Sequence, residues 1–304
     1  MIVNNSTSAF YDRSILGMTD LRKLAETLQQ QLDHGERLSR SSDDPVAASR
    51  LRMLSRVDLV SNIDETNANR ANSDLTLADT ALTSFTDYIN RIKELALQAS
   101  NETLTDAQRA SIGVEIDHLH SDLVGLANSR DSTGHALFGG EASGDAYTLD
   151  GSGNAVYIGT ANSGDLPLGD GQSVTRSLTG PEFLSFDLDS SPTDLLAVVK
   201  SLAGALQGGV ADPAAAARDA LTGLDTAHQA ITSSQTLIGA RLSWIEVTTE
   251  RRIDLSEMRA TEQSDIGGTD IAETIARLQE LSLVLEASQT SFAKLAQLSL
   301  FNQV

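Results

Sequence analysis

The chain has no cysteine, which excludes disulfides and thiolate metal centres. Proline is nearly as scarce: five in 304 residues, leaving 46–166 and 214–304 without one. Aromatic residues make up 4%, so a core must rest on Leu, Ile, Val and Ala. Basic residues number 22 against 42 acidic, a formal charge of −20, which argues against nucleic acid or an anionic membrane surface as the main partner. No apolar run approaches the ~20 residues of a membrane span. The opening MIVNNSTSAFYDRS lacks the basic-then-apolar order of a cleaved signal peptide. Neither a Gly-rich phosphate loop nor a nucleophile elbow is present.

Helical periodicity fills the space these absences leave. From Ile271 to Leu300 the chain has no proline or glycine, and Ile271, Ile275, Leu278, Leu281, Leu285, Phe292, Leu295 and Leu298 form one apolar stripe. Leu283 and Val284 add a second, narrower edge. A helix about 45 Å long at roughly 1.5 Å per residue cannot bury such a stripe alone. The opposite terminus offers a partner helix over 14–40 with Leu21, Leu24, Leu28, Leu32 and Leu38, Gly35 being its weak point. Leu21, Leu24 and Leu28 are expected to pair with Leu285, Phe292 and Leu295.

Between these ends the chain goes out and returns. SRSSDDP (39–45) breaks the first helix, and Asp44-Pro45 and Asp212-Pro213 each read as a cap followed by a helix start. The second helix runs from Val46 toward residue 100, and its polar stretch at 62–74 predicts a kink or a surface-facing section. Leu75, Ala78, Leu82, Phe85, Ile89, Ile92, Ala96 and Ala99 then keep an unbroken 3-4 spacing, the seam of a coiled coil. A Thr105–Gln108 capping box starts a further stripe, Ile112, Ile116, Leu119, Leu123 and Leu126, which predicts an antiparallel helix hairpin. Glycine and acidic residues dominate 139–193, with strand-like runs at 146–149, 155–159, 173–178 and 183–188. They predict a small exposed β domain of four or more strands, outside the heptad seams and replaceable by a linker over 141–190. Helix resumes at 194–206 and again from Pro213, where Leu221, Leu224, His228, Ile231, Gln235, Ile238, Leu242 and Ile245 repeat the spacing, until 260–270 interrupts it. The fold class is mainly α with a β insert: a long antiparallel coiled-coil rod built from both terminal segments. The expected domains are 1–45 with 267–304, 46–138 with 194–266, and 139–193.

Candidate reactive groups are few. His118 and His120 lie near Glu115, Asp117 and Asp122, but residues two apart on a helix point to different faces, so a solvated face is the stronger reading than a metal site. Asp150-Gly-Ser152-Gly-Asn154 alternates oxygen ligands without the glutamate a calcium loop requires at its twelfth position; it reads as a β-turn. The sequons at Asn5 and Asn101 are common by chance, and His228 reads as a packed or rim residue. No catalytic, metal or cofactor residue is assigned, and no cofactor is expected. The candidate functional residues are apolar: Leu21, Leu24, Leu28, Leu278, Leu281, Leu285, Phe292, Leu295 and Leu298.

Six segments carry a resemblance: SRSSDDPVAAS (39–49), RIKELALQASNETLT (91–105), EIDHLHSDLVGLANS (115–129), ALFGG (136–140), LIGAR (237–241) and ASQTSFAKLAQLSLF (287–301). Together they resemble the bacterial flagellins and hook-associated proteins. Pro45, the LFGG after the hairpin and the LSLF ending look more like the hook-associated branch, at the junction of hook and filament. The resemblance implies a structural, non-enzymatic subunit, a homo-oligomer in a ring or tube whose terminal helices line the inside. It implies export in an unfolded state to the extracellular flagellum without a cleaved signal peptide. Its implied partners are the other hook–filament junction protein, flagellin and a flagellar export chaperone that holds the C-terminal helix, with neither nucleic acid nor membrane among them. A filament-forming flagellin is the alternative within the family. A soluble coiled-coil adapter is the alternative outside it, supported by the heptads alone.

Overall fold

A computed structural model describes the backbone of residues 3–188 and 190–301 and the side chains of 9–188 and 190–295. Its helices are α1 (Val3–His34), α2 (Pro45–Ala99), α3 (Asp106–Ala127), the short α4 (Gly180–Leu184), α5 (Leu195–Gly204), α6 (Pro213–Gly267) and α7 (Ile271–Phe301). Three antiparallel hairpins, β1–β2 (Tyr147–Leu149, Ala155–Tyr157), β3–β4 (Asp165–Gly169, Gln172–Thr175) and β5–β6 (Ser185–Leu188, Ser191–Asp194), lie between α3 and α5. The chain divides into two compact units, Met1–Leu59 with Asp254–Val304, and Val60–Ile253.

Local chemistry sets the helix starts as expected. Asp44 Oδ1 accepts from the Ala47 N–H at 3.0 Å and Asp212 Oδ1 from the Ala215 N–H at 2.9 Å, each beside the proline that opens its helix. Thr105 and Gln108 form the capping box of α3. Just inside that helix, the buried guanidinium of Arg109 donates to the carbonyls of Ala99 (3.1 Å) and Asn101 (2.9 Å). It therefore satisfies the last carbonyl of α2, which has no helical partner, and ties the link that follows, where the Asn101 carbonyl also accepts from the Leu104 N–H.

The 60–253 unit is built on the predicted seam, whose residues from Leu75 to Ala99 are all 0% exposed. Gln235 reaches Thr83 at 3.3 Å, Lys93 pairs with Asp225, and Arg218 donates to the Ser100 carbonyl at 3.4 Å, so α6 runs antiparallel to α2. Ile116, Leu123, Ile231 and Ile238 are buried with the seam; Leu119 and Leu242 are half-buried against it. On α6 the buried row is Leu224, Ala227, Ile231, Ser234, Ile238 and Ile245, whereas Leu221, His228, Gln235 and Leu242 lie half-buried at its edge. Two of the eight expected α6 seam positions, His228 and Gln235, are thus displaced by one residue onto the small side chains Ala227 and Ser234.

One expectation holds only in part here, and another fails. The polar stretch 62–74 is unbroken helix and does not face solvent throughout: Ala68, Ala71 and Asp74 are buried. The insert covers it, with Asn67 donating to the Pro167 carbonyl at 3.1 Å and Arg176 donating to Asp74 at 2.5 Å. Nor do the seams exclude the insert. Phe138, Tyr147, Leu168, Leu178, Phe183 and Leu184 share one apolar core with Leu75–Ala99. Two-stranded hairpins are marginal alone, and these gain their stability from that core. Strand β3 lies outside the expected runs and carries Pro167, with a register shift between Pro167 and Gly169. Phe183 and Leu184, the first two residues of the expected 183–188 strand, end the short helix α4 instead, where Thr179 and Glu182 make a capping box around Pro181.

Helix α5 packs on α3 where Gly113 allows close approach: a Cβ there would stand 3.0 Å from the Ala203 carbonyl oxygen. That contact corrects the reading of the histidines. His118 is exposed, but His120 is only 2% exposed, because α5 covers the face of α3 that was expected to be solvated.

Candidate assembly surface

The expected functional residues all fall in the unit formed by both chain ends. Helix α1 ends at Gly35, whose φ of +70° suits glycine. The chain then zips against the α6–α7 break: the Arg37 N–H donates to the Gly267 carbonyl at 2.7 Å and the Thr269 N–H to the Gly35 carbonyl at 3.0 Å. Asp270 caps α7 through the Glu273 N–H at 3.0 Å. Alongside, Arg50 holds Glu262 with two bonds of 2.6 and 2.9 Å, while Asp58 accepts from Arg259 and Gln263, each at 2.6 Å. The Arg259 hydrogen bond, reinforced by Gln263 and opposed by burial, holds the Asp58 carboxyl below its usual range; Arg50 does the same for Glu262.

The two breaks fix α1 and α7 antiparallel. At the far end the Tyr11 and Phe292 rings meet edge to face, centroids 5.3 Å apart, and the Tyr11 hydroxyl donates to the Leu295 carbonyl at 3.5 Å. The covered row of α1 is Tyr11, Ser14, Met18, Leu21, Ala25, Leu28 and Leu32; that of α7 is Thr274, Leu278, Leu281, Leu285, Ser288 and Phe292. Of the expected residues, Leu28 is buried, and Leu21, Leu278, Leu281, Leu285 and Phe292 are half-buried in this seam. Leu24 is not in it: Ala25 takes the covered position and Leu24 is 48% exposed. Leu295 is 45% exposed at the rim, and the Leu298 side chain lies outside the described residues, as does that of Asn5. Ile271 and Ile275 are exposed as well, so the α7 seam begins at Thr274. A leucine-only search overlooks Tyr11, Met18 and Thr274; their 3-4 spacing with Leu21 and Leu278 was the available signal.

Much apolar surface stays uncovered. Leu283, off the seam as expected, is 68% exposed, with Val284, Ile15 and Leu16 also open. Phe10, Gly17, Met18, Leu21, Ser291 and Phe292 border a groove of about 510 Å³ between α1 and α7. A two-helix pair covers one stripe on each helix and leaves this remainder, which is the pattern of an interaction surface. The surface offers shape and apolar area rather than acid–base or nucleophilic groups. Among the described residues no group of three His, Asp or Glu is placed to hold a metal ion, and no helix is long and apolar enough to cross a membrane.

Residues 6–143 match the bacterial flagellin N-terminal helical region. That match takes in a little under half of the chain, and the similarity beyond it is to flagellins and hook-associated proteins. Flagellar hook-associated protein 3 of Escherichia coli K12 is 27% identical over 312 aligned positions, which take in 97% of this chain and 98% of that protein. The solved flagellar hook-associated protein 3 of Legionella pneumophila superposes with a TM-score of 0.64 at 17% identity, over 71% of this chain and 98% of the other. A second structure from that organism, described as the flagellar junction protein, gives a TM-score of 0.58 at 16% identity over 72% and 99% of the two chains. At these identities the structural likeness establishes the fold: long helices with small antiparallel hairpins inserted in the middle.

Proposed function

We propose that this chain is a member of the flagellin and hook-associated protein superfamily and a structural subunit of the hook–filament junction, assembled as a ring or tube of identical copies through its terminal helices. The end-to-end similarity to a hook-associated protein 3 carries the reading. The uncovered edge of the α1–α7 pair supports it physically, since Leu283, Val284, Ile15 and Leu16 are half or more exposed or close to it and gain by burial against other copies. In this reading the flanking partners are the other junction protein and flagellin. An export chaperone covers the C-terminal helix before assembly, and the chain leaves the cell unfolded through the flagellar channel. No disulfide must be broken for such passage. Electron microscopy of a strain lacking the gene tests the proposal. Hooks without filaments, with flagellin free in the medium, are expected; loss of the filament protein itself would make the chain a flagellin instead. A protein retained in the cytoplasm, with filaments intact, would point to the adapter reading.

A further inference from the structure

His120 is the one histidine of α3 enclosed by its neighbours. It is 2% exposed, and its Nε2 is buried without a hydrogen-bond partner. The charged groups that face it are Lys200 on α5, Asp117 on its own helix and Asp194 at the start of α5. Asp117, the nearest anion on α3, is already engaged by the Lys200 ammonium at 2.8 Å. The π-helical turn that continues α5, Ala205–Gly209, also packs on α3 and carries no titratable side chain. A neutral imidazole tolerates this site. An imidazolium would carry an N–H donor at Nε2, where the structure gives it no hydrogen-bond partner, beside a fixed cation.

We propose that the α3–α5 contact is an acid-released latch, closed while His120 is neutral and opened when it takes up a proton. Burial first, and then Lys200, push the imidazole below its ordinary value, while Asp117 and Asp194 oppose them without prevailing. The sign follows directly. The folded state resists protonation, so the latch is at full strength above the ordinary histidine pKa of about 6.5. It weakens as pH falls from there toward the lower folded-state value. Opening would free α5 together with β6 and the π turn that flank it in sequence, leaving the Leu75–Ala99 seam in place.

Hydrogen exchange on the full chain between about pH 7.5 and 5, corrected for the intrinsic pH dependence of exchange, tests the latch. The opening constant of α5 amides should rise by up to about tenfold per pH unit below ~6.5, the limit for one coupled proton, while α2 seam amides keep theirs. His120→Leu should abolish that slope. His120→Gln, which keeps a polar side chain, provides the same comparison should the leucine variant fold poorly. An NMR titration of the wild-type imidazole gives an independent reading. A flat α5 profile in the wild type, an unchanged slope in the variants, or a His120 pKa at or above about 6.5 would each overturn the proposal.

Discussion

The rings of Phe85 and Phe183 stand edge to face, 5.3 Å between centroids and 72° between planes, with Phe138 against Phe183 at 4.7 Å. One residue belongs to the coiled-coil seam and the other to a short helix in the insert, so this contact makes the insert part of the core. Phe183→Ala should cost about 3–5 kcal/mol, the usual range for a buried phenylalanine. Replacing 141–190 by a flexible linker should be worse, because it uncovers the seam. Thermal unfolding followed by helical circular dichroism decides the matter. A linker variant that melts like the parent would show the hairpins to be dispensable.

Ile89 tests the seam itself. It is 0% exposed, and truncation to alanine should lower stability by about 2–5 kcal/mol. An unchanged melting temperature in Ile89→Ala would place that residue outside the monomer core.

Arg109 makes a different kind of contribution, through hydrogen bonds rather than area. Arg109→Met keeps much of the apolar stem but leaves the Ala99 carbonyl without its donor, whereas the Asn101 carbonyl keeps the Leu104 N–H at 3.2 Å. A loss of about 1–3 kcal/mol is expected for a buried group left unsatisfied, with faster amide exchange at the end of α2. Equal stability of the variant and the parent would mean that water replaces the guanidinium at no cost.

What could be read from the chain followed the strength of its periodicity. Leu75–Ala99 was legible because apolar side chains occupy every seam position, and the Thr105 box and the Asp-Pro starts because capping is local chemistry. On α6 the signal weakened because Ser234 and Ala227 occupy buried positions that hydropathy does not mark. Packing of the insert was hidden for a related reason: Phe138 and Phe183 sit in short segments with no repeat. In addition, Asn128 substitutes for a strand, its carboxamide bonding both the N–H (2.8 Å) and the carbonyl (2.9 Å) of Tyr147. His120 looked solvated since the helix that covers it lies some 80 residues further on. At the candidate surface the stripe on α7 was evident, but which leucines would be covered depended on Ala25 and Thr274, small residues that let the helices meet.

Acid should weaken the terminal unit in a definite window. The Asp58 and Glu262 carboxyls are held low by Arg259 and Arg50, and those of Asp43 and Asp44 by the Arg40 and Ala47 backbone N–H groups. Groups depressed in the fold contribute stability above their unfolded pKa of about 4 and lose it as pH drops through the folded value. Because these side chains are partly or largely exposed, each contribution is small. Asp58→Asn should therefore be slightly less stable than the parent at neutral pH, with the difference shrinking as pH falls from about 4 toward the lower folded-state value of Asp58. A stability difference that persists unchanged through that range would assign the effect to packing instead.

The terminal helices allow the sharpest separation of folding from assembly. Leu285 and Phe292 are half-buried in the α1–α7 seam, whereas Leu283 and Val284 are 68% and 43% exposed on the same helix. Leu285→Ser with Phe292→Ser should loosen the pair itself. Leu283→Ser with Val284→Ser should leave the monomer within about 0.5 kcal/mol, as surface changes do, yet prevent filaments from attaching to hooks. Lone helices of this length depend on packing, and the pair covers only part of its apolar area, so its ends should gain order on assembly. Trypsin offers the measurement, since Arg13, Arg22, Lys23, Arg277 and Lys294 are all exposed. In the free monomer these sites should be cut well before the 60–253 unit, and in assembled junctions they should be protected. The Leu283/Val284 variant should show the monomer pattern and fail to acquire protection. Should the wild-type ends resist trypsin as firmly as the 60–253 unit does, they are ordered before assembly, and the exposed edge has no role in ordering them.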